Sequence, residues 1–469
     1  TFNNEFFTTL FFGAYEVLVG FGYVSEITSS SVGFFIRTSG RSLMGMYGNR
    51  YLDELDNLGY YNYGLTSLIS SIARESYLGA LSIVFAPVSD PSRGNETVTE
   101  THRGQINPFD YATGTVYAGA EKIYPFLFIH ALLERLFEVT GYSIAYDDTL
   151  SIEGFSNLYM ICLKEENGYS PSSVGGSFAY TRMLPHITLS AFFDELNRKF
   201  NLRFVFDDNR RTVGIRSSAA LITSEIVDLT ELVSDNQKKV FNETPEVPDN
   251  RRFYDKAITI GASADSYDPT LAYLADYMEF NTAENVTDDM KTEEIACISR
   301  TVVLSEVNIV FSDGVVLSYN PVYINSLKYV SSDLIMAIFN PLDQDSTRLR
   351  YSDFQQYQPP VEDMEAFSPY YRFPDSTVIR DGGLSLLWSD YSNAPGLYTL
   401  FWASYFDVID NLVMTQEIDL VPSSMIIGRL FNLSTVNAIV GGCRYLTKKI
   451  ELTLTVDTVK GCTLELARL

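Results

Sequence analysis

Three histidines, His102, His130 and His186, and three close pairs of aspartates are the residues in this 469-residue chain best suited to chemistry. Imidazole changes charge near neutral pH and ligates metals, but no two of these histidines fall at ligand spacing. Asp147 with Asp148, Asp207 with Asp208, and Asp343 with Asp345 could supply paired acids for glycoside hydrolysis or a Ca²⁺ site. Asp also bonds its own backbone in turns, and turn residues are the better reading here. A hydrolase needs two carboxylates facing each other across a cleft, which spacing alone does not supply. There is no G-x-S-x-G, no H-E-x-x-H, no G-x-x-x-x-G-K and no dinucleotide fingerprint after a strand. Cys162, Cys297, Cys443 and Cys462 are too sparse for a disulfide scaffold and form no C-x-x-C pair. Cys443 and Cys462 lie in neighbouring predicted strands and could meet, although buried free thiols are the favoured account. Sequons at Asn95, Asn242, Asn285 and Asn432 are about as frequent as chance gives. We therefore assign no catalytic, cofactor-binding or metal-ligating residue, and expect a protein that is not an enzyme.

Elements must hold these residues in place. Residues 187–218 read ITLSAFFDELNRKFNLRFVFDDNRRTVGIRSS, an amphipathic helix running into a strand and a turn. Leu189, Phe192, Phe193, Leu196 and Phe200 recur at helical spacing. Thr188 or Ser190 can cap the start, Asp194 and Glu195 suit the positive end, and Arg198 and Lys199 suit the negative end. Asn201 can end the helix in a left-handed conformation, after which Leu202, Phe204 and Phe206 alternate as a strand. Sixty residues earlier, PFLFIHALLERLFEVTGYSIAYDD follows the same plan. Ile129, Leu132, Leu133 and Leu136 hold the helical positions, Gly141 ends the helix, and Tyr142, Ile144 and Tyr146 alternate. Pro125 aligns with Pro185, each suited to the start of its unit. The pattern is a weak internal repeat, with chance similarity of two ordinary amphipathic units as the alternative. Neither unit can bury its apolar face alone, so both helices are expected against one small shared sheet, in an α/β domain over residues 123–220.

Elsewhere β patterning prevails. Residues 1–122 read as a β-rich domain with a helix from Gly64 to about Ser76 and an exposed polar loop at 89–108. Residues 221–300 read as a connecting β and linker region, in which NETPEVPDNRR and ENVTDDMKTEE look like exposed connections. Residues 301–469 read as a β-rich domain with a hairpin at 308–319 turning on Asp313 and Gly314, a long loop at 343–383, and final alternating strands. The fold class is α+β, β-rich and multidomain, with β-barrel or sandwich domains and an inserted small α/β domain of two helix-strand units.

Bulk numbers narrow the function. Hydrophobic residues make up 46% and charged residues 20%, as in an ordinary globular protein. Acids outnumber bases 59 to 34, a formal charge of -25, which opposes sequence-independent binding to phosphate backbones. The 31 Tyr and 31 Phe suit strands and interfaces. Uncharged apolar runs fall well short of the ~18 residues that a spanning helix needs. The chain opens on Thr1 rather than Met, which leaves a trimmed start and a lost signal peptide open.

The stretch APGLYTLFWASYFDVIDNLVMTQEIDL, followed by VGGCRYLTKKIELTLTVDTVKGCTLELARL, resembles the C-terminal end of minor tail proteins of bacteriophages, particularly those infecting Bacteroidetes. The matching residues are Gly396, Leu397, Tyr398, Phe401, Trp402, Tyr445, Lys449, Ile450, Glu465 and Leu466. The middle region, with a helix ending in G-Y, an L-x-x-F-x-x-x-L-x-x-x-F-N-L unit and the D-L-T of IVDLTELV, is similar to the same proteins. The resemblance implies a tail hub or baseplate-hub-like virion protein, with β-barrel tube domains and an inserted α/β domain. It would be a homo-oligomer, a trimer or hexamer ring coaxial with the tail tube, docking other tail proteins and assembled in the host bacterial cytoplasm. Double-stranded DNA would meet it only in passage through the lumen, where acidic walls would keep phosphate from sticking. The first 120 residues and the loop at 343–383 match nothing in that family. Three alternatives stand beside it. One is a secreted or cell-surface glycan-binding β-sandwich protein. The others are an envelope secretion or uptake component with no evident membrane barrel, and a tail-tip glycoside hydrolase.

Overall fold

The computed structural model describes residues 6–468 apart from 90–104, 256–278, 340–385, 421–436 and a number of shorter stretches. It is an α+β fold of several small sheets, and no sheet closes into a barrel among the described residues. Buried apolar side chains from Leu43 to Phe406 form one continuous core.

Both helices of the internal repeat form where their spacing predicts, over Ile129–Thr140 and Leu189–Phe200. Gly141 (φ 78°) and Asn201 (φ 48°) end them in the left-handed region, as expected of glycine and asparagine. The strands Ser143–Asp147 and Leu202–Asp207 flank a third, Thr212–Ser217, in one three-stranded sheet. Ser143–Asp147 runs parallel to the middle strand and Leu202–Asp207 antiparallel to it, so the two units enter the sheet in opposite directions. Phe137 of the first helix lies 6.3 Å from Phe193 of the second, and both rings meet Phe204 from the sheet. Each such side chain, once buried, contributes ~1.5–3 kcal/mol.

The first helix grows out of the strand Phe126–Phe128, which belongs to a five-stranded sheet. Its neighbour Leu158–Ile161 and the strand beyond, Ile335–Ile338, are buried along their whole length. Residues far apart in sequence thus supply the core beneath the repeat.

Several sequence expectations are corrected. The stretch expected to be helical from Gly64 is a strand, Tyr60–Leu68, and the helix begins only at Ile69. Alternation in YYNYGLTSL wins because Val174–Ala179 pairs with it. The far end of the polar loop is not exposed: Ile106 and Asn107 are buried. The Asn107 amide donates to the carbonyls of Ala86 and Tyr124 and accepts from the Tyr124 N–H. The polar run read as a connection includes the strand Asn250–Asp255, which is the middle of a three-stranded sheet with Glu279–Asn281 and Thr292–Cys297. The hairpin strands Val307–Val310 and Val316–Tyr319 pair as expected. Its turn, and the loop at 343–383, lie outside the described residues.

The last sheet has six strands, with Ile226–Asp228 at one edge and Val233–Phe241 at the other. One parallel and four antiparallel pairings separate these edges, so both run the same way. A flat sheet of this width would hold its edges ~24 Å apart. The link from Asp228 to Val233 reaches ~18 Å at full stretch, and it contains the 3-10 turn Thr230–Leu232, which shortens it. The sheet must therefore curl. In effect one bent strand pairs first with Asn437–Val440 and then, past Leu229, with Thr415–Leu420.

Candidate functional site

Where the second helix turns toward the polar strand, four ionisable or polar groups are sealed from solvent. Lys199 and Asp255 are both fully buried. The Lys199 ammonium donates to both Asp255 oxygens, at 3.1 and 2.9 Å, and to Ser299 Oγ at 2.9 Å. Trp388 Nε1 also donates to Asp255 Oδ1, at 3.3 Å. One turn earlier on the helix, buried Glu195 accepts from the backbone N–H groups of Ile298 (2.7 Å) and Ser299 (3.1 Å). Burial pushes the Asp255 carboxyl up to about 6. The same burial alone would lower Lys199, but the charge of Asp255 and its hydrogen bond, with the charge of Glu195, outweigh it and hold the lysine raised. The pair is thus an ammonium and a carboxylate at neutral pH.

Sequence reasoning placed Glu195 and Lys199 at the helix ends to complement the dipole. They are instead the side chains by which this helix grips the strand Asn250–Asp255 and the residues Ile298 and Ser299 that follow the strand Thr292–Cys297. A second anchor joins the same sheet to the helix Ala403–Ile409. Arg251, 7% exposed, donates to both oxygens of Asp410 at 2.6 and 2.7 Å and to Glu293 at 2.9 Å, and lies 3.8 Å over the Phe406 ring. Such forked, stacked geometry is specific to arginine.

The segment Gly396–Trp402 closes the assembly. Gly396 touches the Trp388 and Ser389 backbone so closely that a Cβ would collide with it. A π-helical turn, Tyr398–Trp402, leads into the following helix. The Asn201 side chain, at the left-handed cap, donates to the Phe401 carbonyl at 2.9 Å, and Phe200 packs edge-on to Phe401. The second helix is therefore held along its length by charge and at its end by a capping amide.

The residues singled out by type are dispersed. His130 Nε2 lies 3.2 Å from Asp147, and this hydrogen bond raises the imidazole. Asp147 also caps the next turn by accepting from the Thr149 N–H, and the Asp148 carboxylate accepts from the Ser217 N–H. Both aspartates brace turns and strands. The Asp207 backbone closes its strand opposite Thr212, while Asp208, Asp343, Asp345 and His102 lie outside the described residues. His186 Nδ1 is 3.0 Å from Asp53, which also pairs with Lys164 at 2.6 Å, and Tyr51 stacks on the imidazole at 3.9 Å. An aspartate-oriented imidazole is the arrangement a general base uses, but among the described residues no hydroxyl or thiol bonds to this ring. The Cys297 thiol is pushed up by burial, which favours the unreactive protonated form. Cys443 is free, and Cys462 sits opposite Leu452, far along the strand from it. No group of three or more His, Cys, Asp or Glu that could hold a metal exists among the described residues. No described helix is long and apolar enough to cross a membrane.

The buried partners have sequence separations that no local pattern carries. Among them, only the mid-helix placement of two charges beside an apolar stripe hinted at the centre. No protein-family model matches this chain, and no curated protein matches it.

Proposed function

We propose that the chain is a virion structural protein, a tail hub or baseplate-hub-like component that assembles as a trimeric or hexameric ring around the tail axis. It docks other tail proteins and performs no catalysis. The observation that carries this reading is the curled six-stranded sheet, whose two edges are consecutive stretches of one chain. It includes part of each region of resemblance to minor tail proteins: the D-L-T that begins at Asp228, and the final pair Cys443–Leu454 and Val459–Arg468. The G-L-Y-x-x-F-W stretch seats on the cap of the second helix and so ties the α/β insertion to the rest.

The curl of this open sheet supports the finer reading, that it serves as one wall of a tube-type barrel domain. Rigid anchoring by Lys199 and Arg251 suits a part that bears load rather than one that opens and closes. A net charge of -25 keeps duplex DNA from adhering as it passes. The site of action is then the phage tail, assembled in the cytoplasm of the host.

Light scattering and negative-stain microscopy of the purified chain test the reading. Rings of three or six protomers in the absence of sugar are expected. A strict monomer whose melting temperature rises with a polysaccharide would replace the reading with glycan binding.

A further inference from the structure

The three-stranded sheet of the α/β unit has one face against the two helices and one face open. Phe204, Phe206, Val213 and Ile215 point into the core, so Arg203, Val205, Gly214 and Arg216 point away from it. Tyr146 joins this outer face: its ring lies directly on Gly214, where any Cβ would strike it, and it remains 39% exposed. Arg216 lies 3.9 Å over the Tyr146 ring. Arg203 and Arg216 face each other as a cross-strand pair. Like charges in that position repel and weaken a sheet. Among the described residues neither guanidinium has a carboxylate partner. Arg203 donates only to Ser218 Oγ at 3.3 Å, and the buried Arg216 Nε has no acceptor. In a chain with so few bases, two arginines set against each other on an aromatic platform carry a repulsion that no carboxylate among the described residues offsets.

The opposite feature lies elsewhere on the same chain. Between Glu279–Asn281 and Thr292–Cys297 runs a turn on which Glu284, Asp288 and Asp289 are all exposed, with Val286 50% exposed among them. None of these three carboxylates has a cationic partner among the described residues.

We propose that the Arg203, Arg216 and Tyr146 face of one protomer docks the 284–289 turn of the next copy of this chain. The arginine fork receives the carboxylates, and the Tyr146 and Val205 surface receives Val286. Two different, mutually complementary patches make a heterologous contact, and such a contact repeated around an axis closes a ring. This inference rests on the ring reading above and names its interface.

The full chain is measured by light scattering and sedimentation, native and as charge-reversed variants. R203E/R216E and D288K/D289K are each expected to reduce ring mass to that of a protomer, while far-UV circular dichroism and melting temperature stay close to native. The chain carrying all four reversals should regain rings, since the signs are exchanged but still opposed. Native rings should dissociate as salt rises to 1 M, because exposed charge pairs are screened. Native rings with R203E/R216E rings of equal stability would overturn this interface and leave the hub reading standing. A native chain that is a protomer at every concentration overturns both. A single-stranded oligonucleotide that binds the native chain and not R203E/R216E, with assembly unchanged, would assign the face to nucleic acid instead.

Discussion

The two helix-strand units share helix length, a left-handed C-cap and one sheet, yet they are loaded differently. In the first, Arg135 reaches the Leu58 carbonyl from a half-exposed position, and Val139 is half-buried. In the second, the corresponding positions are Glu195 and Lys199, both sealed in the core. The first helix is packed on its apolar stripe, whereas the second is packed there and also along a polar line, because the Asn250–Asp255 sheet covers it. One scaffold can thus leave its polar side at the surface or bury it as a keystone, depending on what lies across that face.

The largest expected break in this comparison comes from the keystone charge. Lys199→Met should destabilise the fold by ~3–5 kcal/mol, because it strands Asp255 in the core. The reciprocal exchange, Val139→Lys, should change stability by less than ~1 kcal/mol, since a long stem can keep its head in water. Urea denaturation of both variants measures this, and equal losses would remove the distinction between the units.

The shared stripe comes next. Leu136→Ala and Leu196→Ala remove equivalent buried side chains, and each should cost ~2–5 kcal/mol by similar amounts. A several-fold difference in denaturation free energy would mean that the repeat exists in pattern and not in packing.

The caps should then separate by cause. Gly141→Ala places a Cβ in open space, so its cost, ~1–2 kcal/mol, is backbone strain at positive φ. Asn201→Gly relieves strain but removes the amide bonded to Phe401, at ~1–3 kcal/mol if that carbonyl is left unpaired. Melting temperatures of the two variants, together with an Asn201→Ala chain that combines both losses, sharpen the difference.

Smallest is the response to pH. The His130 pKa is raised by its bond to Asp147, so the folded state holds this proton more tightly than the unfolded chain does. Its stabilising contribution is complete below the unfolded value of ~6.5 and is lost as pH rises through the folded value. Asp255 acts in another window: the folded carboxyl keeps its proton up to about 6, whereas the unfolded one loses it near ~3.9. Stability from that group therefore falls as pH rises between these values and is level above them. Denaturation across pH should show His130→Gln flattening the upper window and altering the acid limb where its partner Asp147 titrates, and a change in the Asp255 window between ~3.9 and about 6 on that substitution would contradict the assignment.

Where structure depended on local chemistry, it was legible. Gly141 and Asn201 stop helices for the reason that their backbones tolerate positive φ, and Thr188 Oγ1 caps the second helix by accepting from the Ala191 N–H. The alternating final strands pair as their pattern implies. The buried centre was not legible, since Asn250, Arg251 and Arg252 read as a solvated connection when each is judged alone. Arg251 can be buried only because Asp410 and Glu293 arrive from distant segments, half-buried Arg252 pairs with Glu279, and buried Asn250 bonds Asn281 and the Ala283 N–H. Tyr60–Leu68 failed for a related reason: its strand character comes from a partner more than a hundred residues later. Tertiary pairing overrides propensity in both cases.

The bent strand at residues 226–241 imposes an order in time. A chain made from its N-terminal end exposes Ile226–Asp228 and Val233–Phe241 while Thr415–Leu420 and Asn437–Val440 are still unmade. Two bare strand edges then await partners at long sequence distance, which slows folding and invites wrong pairing between chains. Expression yield should therefore depend more steeply on temperature and nascent-chain protection than the stability of the finished fold would suggest.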